Sequence, residues 1–200
     1  MALTDKIKAI ADAIRAKTGQ TGTLTLDAMP TAISGISGGG PEAYVEETYN
    51  INRELISAKL VGQDFVRMYA FANCERLKSV ELPSGVNSIR DRAFSGCTRL
   101  KPFDLPASLS SIGQYAFTGC SAFTSVVIPA GVIQLHAYAL SSNINLESVT
   151  FLGTPNSIAS SVFYFCNKLT TINVPWAEGE VANAPWGATN ATINYNYTGE

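Results

Sequence analysis

Val66, Ile89, Ile112, Leu135 and Ile158 stand 23 residues apart, and the segments they open align without a gap. The fifth position of each segment holds Ala70, Ala93, Ala116, Ala139 and Val162, and the sixth Phe71, Phe94, Phe117, Leu140 and Phe163. The twelfth holds Leu77, Leu100, Phe123, Leu146 and Leu169. The fifteenth holds Val80, Phe103, Val126, Val149 and Ile172, and the seventeenth Leu82, Leu105, Ile128, Phe151 and Val174. Proline follows at Pro83, Pro106, Pro129 and Pro175, with Leu152 in its place in the fourth copy. One such segment cannot bury its apolar side chains alone, so the copies must stack on one another into a solenoid.

The apolar–polar–apolar alternation at positions fifteen to seventeen predicts a short strand with one buried face. The proline behind it ends the strand, because proline has no N–H for a ladder. The Ala-Phe-x-x-Cys stretch reads as a compact turn that adds its side chains to the same core. The pattern I-x-x-x-A-F-x-x-C-x-x-L-x-x-V-x-L-P over residues 66–180 resembles the BspA-like class of bacterial leucine-rich repeats. That resemblance implies a right-handed solenoid of 23-residue leucine-rich-type repeats, one short parallel strand per repeat, with a turn or short helix on the other side. It also implies adhesion or recognition, and no catalytic residues. The fourth copy departs most, with Leu140, Asn143 and Leu152, so irregularity is expected there.

The ends read as caps, which a solenoid requires. Trp186 falls in the phenylalanine column, and Ile193 and Tyr195 fit the strand once two residues are deleted, giving a shortened sixth repeat. Residues 42–65 are a poorer match and supply one or more N-terminal cap strands. The expected organisation is an N-terminal helical segment (1–36), a glycine-rich linker (37–41) and the repeat domain (42–200), with caps at 42–65 and 181–200 around repeats 66–180.

Leu3, Ile7, Ile10 and Ile14 are spaced 4, 3 and 4 apart, one face of a helix. Lys17 and Gly19 suit its end, and a second short helix fits residues 27–36, with Pro30 in its first turn. The Ala-Ile-Ala-Asp-Ala-Ile-Arg-Ala-Lys-Thr-Gly and Leu-Thr-Leu-Asp-Ala-Met-Pro segments resemble N-terminal segments of tail-associated proteins in phages and prophages of Gram-positive bacteria. Isoleucine in a and d heptad positions tends towards three or more strands, so a homotrimer through Leu3, Ile7, Ile10 and Ile14 is expected; packing of the two helices within one chain is the alternative.

Charged residues make up 15% of the 200 and the net charge is -2, which gives nucleic acid or an anionic membrane no electrostatic hold. No apolar run approaches the roughly 20 residues of a membrane span. The first ten residues interleave charges with apolar positions, unlike a secretory signal, so the chain is expected to be made in the host cytoplasm. Exposure outside the cell then requires another route, such as a virion released by lysis.

Cys74, Cys97, Cys120 and Cys166 all fall in the ninth column, which makes them packing residues rather than zinc ligands. His136, the single histidine, sits in a freely varying column and reads as a surface residue with no triad around it. The outward column of the strand face holds Glu81, Asp104, Val127, Thr150 and Asn173, beside Ser79, Pro102, Ser125, Ser148 and Thr171. Strands about 4.8 Å apart could set Glu81 beside Asp104 as an acid/base or calcium pair, but two solvated acids on an open sheet are the expectation. The Asn190-Ala-Thr192 and Asn196-Tyr-Thr198 acceptor patterns are coincidental without a secretory route.

The expected function is therefore non-enzymatic and needs no cofactor or metal: a tail-associated structural protein of a phage or prophage whose repeats recognise a bacterial surface protein or glycan. Residues 1–36 would join it to other tail or baseplate proteins or to its own copies. The alternative is a bacterial cell-surface adhesin. The ligand-contacting residues would be Ser79, Glu81, Asp104, Ser125, Val127, Ser148, Thr150, Thr171 and Asn173.

Overall fold

In a computed structural model, residues 44–49 and 54–199 are described; the two helices expected within 1–36, and Leu3, Ile7, Ile10 and Ile14 with them, lie outside these. An antiparallel hairpin of β1 (Tyr44–Tyr49) and β2 (Leu55–Val61) opens the fold. Stacked coils follow, giving a β-solenoid of about six turns. The predicted strand appears in four of the five copies, as β4 (Ser79–Glu81), β7 (Ser125–Ile128), β9 (Ser148–Phe151) and β11 (Thr171–Asn173), each pairing in parallel with a neighbour. β12 (Thr192–Asn194) continues the register, Ile172 opposite Ile193, so the shortened last copy does supply a strand. At the other end β2 pairs in parallel with β4, with Ala58 opposite Val80.

The first, third, fourth and fifth coils each carry two strands, not one. The second ladder is made of two-residue pieces: β3 (Phe65–Val66), β5 (Ser88–Ile89), β6 (Ser111–Ile112), β8 (Gln134–Leu135) and β10 (Ser157–Ile158). They run in parallel in that order through every copy. Val66, Ile89, Ile112, Leu135 and Ile158, which mark the repeat, are its buried residues. Nor is the opposite side helical among the described residues. Position four has a left-handed backbone at Tyr69, Arg92, Tyr115 and Tyr138, and position eight at Asn73, Gly96, Gly119, Ser142 and Phe165. Two left-handed residues four apart break any helical run, and the freed N–H groups bond to the next coil instead, as Phe94 N does to Ala116 O at 2.8 Å.

The core is a set of columns running along the stack. Phe71, Phe94 and Phe117 stack face to face at 5.2 Å between successive ring centres. The ninth column contributes more than packing. The Cys97 thiol donates to Phe71 O, Cys120 to Phe94 O and Cys166 to Leu140 O, at 3.0 to 3.2 Å. Asn143 performs the same task with its amide, donating to Phe117 O at 3.1 Å and to Leu140 O at 2.7 Å, while its Oδ1 stays buried without a partner. Asparagine thus replaces cysteine because both donate, and the fourth copy is regular: β9 is a full strand there. Trp186 is fully buried against Phe151 and Trp176, but it occupies the alanine column by its backbone, where Trp186 O accepts from Phe163 N at 2.9 Å.

The irregularity lies in the second copy. Residues 101–106 form no strand, and the strand face splits into a sheet of β1, β2 and β4 and a sheet of β12, β11, β9 and β7. Pro102 occupies the position that serine or threonine holds in every other copy, so one ladder donor is missing. Phe103 and Phe123 also stand in columns otherwise filled by aliphatic residues, and their rings meet at 6.5 Å between the second and third coils. The missing donor would have faced Lys78 O in the first coil, as Ser148 N faces Thr124 O, and the two oversized side chains stand between the second and third coils. The second ladder runs unbroken from Ser88 to Ser111, and the turns stay bonded, as at Gly96 N to Thr118 O.

Candidate functional site

The strand face alternates as expected: in β4 Val80 is buried between exposed Ser79 and Glu81, and in β7 Ser125 and Val127 are exposed. Ser148, Thr150, Thr171 and Asn173 are half-buried on β9 and β11, with Ser148 opposite Thr171 and Thr150 opposite Asn173. Asn173 donates its side-chain amide to Thr150 Oγ1 at 3.2 Å, and Asn194 donates to Asn173 Oδ1 at 2.8 Å. The outward column is therefore a hydrogen-bonded row over β9, β11 and β12.

At the other end of the face the suggested carboxylate pair does not form a unit. Glu81 is joined to Lys59 on β2 by an exposed ion pair of 3.4 Å, and Asp104 sits on the strandless stretch of the second coil. Lys59 and Asn194 extend the outward column into the caps. The sequence hid both, because the cap strands do not keep the 23-residue spacing. His136 is half-buried and follows β8 on the second ladder rather than facing the acids. Among the described residues no group of His, Cys, Asp and Glu is placed to hold a metal ion. Burial raises the thiols, pushing Cys120 up to about 12 and Cys166 to about 11, which makes them donors rather than nucleophiles.

The corner of the first four coils carries a second row, exposed at Tyr69 and Arg92 and half-buried at Tyr115 and Tyr138. The Arg92 guanidinium lies over the rings of Tyr69 and Tyr115, at 5.7 and 4.9 Å, and Tyr115 stacks on Tyr138 at 4.9 Å. The apolar column between Val80 and Val149 is disturbed at the break: Phe103 and Val126 are half-exposed where Val80, Val149 and Ile172 are buried. The cleft left there, of about 540 Å³, is walled by Phe103, Leu105 and Val126 and floored by Phe117 and Phe123.

The comparisons with known proteins agree with this geometry. Residues 64–183 match the family described as BspA type leucine rich repeat region, in 6 copies. Among solved structures, a leucine-rich repeat protein from Bacteroides ovatus is 32% identical, with a TM-score of 0.54 over 61% of this chain and 32% of that one. A leucine rich cell surface protein from Faecalibacterium prausnitzii shares the fold at 22% identity and a TM-score of 0.59, over 74% of this chain and 41% of that one. The pneumococcal vaccine antigen PcpA does so at 24% identity and a TM-score of 0.54, over 63% and 32%. The chain thus spans about a third of the length of the Bacteroides and pneumococcal proteins. No curated protein matches it. A match over more than half the chain, on coils that repeat in the same register, makes this chain a member of the BspA-type leucine-rich repeat family.

Proposed function

We propose that the chain is a recognition module that binds a bacterial-surface protein or glycan through its strand face, and that it acts by binding rather than by catalysis. The observation that carries the reading is the row of small polar side chains on that face, Ser79 on the sheet of β2 and β4 and Ser148, Thr171 and Asn194 on the paired strands β9, β11 and β12. The leucine rich cell surface protein from Faecalibacterium prausnitzii, which shares the fold, favours a surface adhesin as the setting. A place on a phage or prophage tail, in contact with other tail or baseplate proteins, rests on the resemblance of residues 1–36. Those residues lie outside the described ones, and the comparisons add nothing to it.

The test is attachment of fluorescently labelled protein to whole Gram-positive cells and to isolated cell-wall polysaccharide. Ser79→Arg combined with Thr171→Arg places bulk and charge on both halves of the face while leaving the core columns intact. Attachment is expected to fall at least about tenfold, with the melting temperature within about 2 °C of the parent, since both positions lie on the outer face and neither contributes to the buried columns. Unchanged attachment would move the contact to the tyrosine corner or the turns.

A further inference from the structure

We propose that the cleft between the second and third coils is a binding site for a small organic cation: an ammonium or guanidinium group carried on an aliphatic or aromatic body. The cleft exists because the coils part over one stretch only. Along the thirteenth column the backbone bonds Lys78 N to Ile56 O, Lys101 N to Lys78 O, Glu147 N to Thr124 O and Thr170 N to Glu147 O form a series with a gap between Lys101 and Thr124. The coils meet again at Gly131, where an added Cβ would lie 2.6 Å from Ala107 O. The opening is thus bounded at both ends, and the Phe103 and Phe123 rings, 6.5 Å apart between the second and third coils, stand across it.

Three features define the ligand. The volume of about 540 Å³ falls within the range of about 300–1,000 Å³ typical of small-molecule sites, larger than one side chain needs. The walls are apolar: half-exposed Phe103, Leu105 and Val126, with Val127 52% and Leu152 57% exposed at the rim. Asp104 is the single charged residue among those lining the cleft, and it is exposed. Elsewhere along the outward column the polar side chains are engaged within it, Glu81 by Lys59 and Asn173 by Thr150 and Asn194. The free carboxylate and the exposed apolar surface therefore coincide. Phe103 adds an aromatic group, to which a cation is also attracted.

The assignment goes beyond recognition by the polar face and is tested separately from it. Chemical-shift titration of the full chain compares 2-phenylethylamine with phenylacetate and benzyl alcohol, fragments whose expected affinity is near about 1 mM. The amine is expected to saturate, shifting the amides of residues 103–105 and 125–128, while the acid and the alcohol bind at least about tenfold more weakly. Asp104→Asn is expected to bring the amine down to the level of the alcohol. Pro102→Ser with Phe103→Val installs the residues other coils use and is expected to extend the ladder from β4 to β7, protect the Asp104 amide from exchange and abolish binding. Equal binding of amine and acid, binding unaffected by either variant, or absence of amine binding each overturns the proposal. So does binding of a Lys-Phe dipeptide amide in the absence of amine binding, which would reassign the cleft to a peptide. Loss of amine binding with intact cell attachment leaves the strand-face reading standing, and the converse leaves this one.

Discussion

Removing the Phe94 ring tests whether the phenylalanine column holds the stack together. Phe94 is fully buried, lies between Phe71 and Phe117 with both rings parallel at 5.2 Å, and meets Phe103 edge-on at 5.9 Å. Phe→Ala in a packed core costs about 3–5 kcal/mol, and each aromatic pair contributes about 0.5–1.5 kcal/mol beyond burial. With two stacked faces and one edge, Phe94→Ala belongs near the top of that range, at about 5 kcal/mol. Phe71 has a stacked ring on one side only and is itself 3% exposed, so Phe71→Ala is expected near about 3 kcal/mol. Cys97→Ser keeps a donor for Phe71 O and is expected to cost about 1 kcal/mol. In urea, with a slope of about 2 kcal/mol/M, the Phe94 variant loses about 2.5 M of midpoint. Each coil is stabilised mainly by its neighbours, so damage in the second coil uncouples the N-terminal cap from the rest. Trp176 and Trp186 report the C-terminal coils, and circular dichroism reports all strands, so the dichroism is expected to fall before the fluorescence changes. A Phe94→Ala midpoint within about 0.5 M of the parent, or equal to that of Phe71→Ala, would refute the column as the main source of cohesion.

Stability is also expected to fall at alkaline pH. Burial holds the Cys120 thiol at about 12 and Cys166 at about 11, against an ordinary 9.0, so above pH 9 the unfolded chain releases protons that the folded chain keeps. The thiols' contribution is complete below pH 9 and declines through pH 11 to 12; Cys120→Ala should flatten the drop in urea midpoint between pH 8 and 10.5, and an identical drop would reject the linkage. For residues 1–36, light scattering of the full chain against a chain beginning at Pro41 is expected to show a trimer and a monomer. Monomers in both would reject assembly through Leu3, Ile7, Ile10 and Ile14, and a trimer that survives the deletion places the interface in the repeats.

The sequence by itself determined the stack. Val66, Ile89, Ile112, Leu135 and Ile158 repeat at a fixed interval, and aliphatic side chains at a fixed interval in segments too short to bury them singly admit one solution. The alternation at positions fifteen to seventeen likewise placed β4, β7, β9 and β11, because period-two burial depends on neighbours along the chain. What the sequence left open depends on neighbours in the adjacent coil. A two-residue strand has no internal periodicity, so the second ladder is visible only once coils pair. Asn143 looked like a flaw until its amide was seen to donate where the thiols do. Phe103 and Phe123 each keep their column apolar in isolation, and only stacking brings the two oversized rings together between the second and third coils, where the cleft lies. Glu81 and Asp104 sit one repeat apart, but the partner of Glu81 is Lys59, brought in by a cap strand off the repeat spacing. Local pattern fixes what is buried; contact between coils decides which surface remains free to bind.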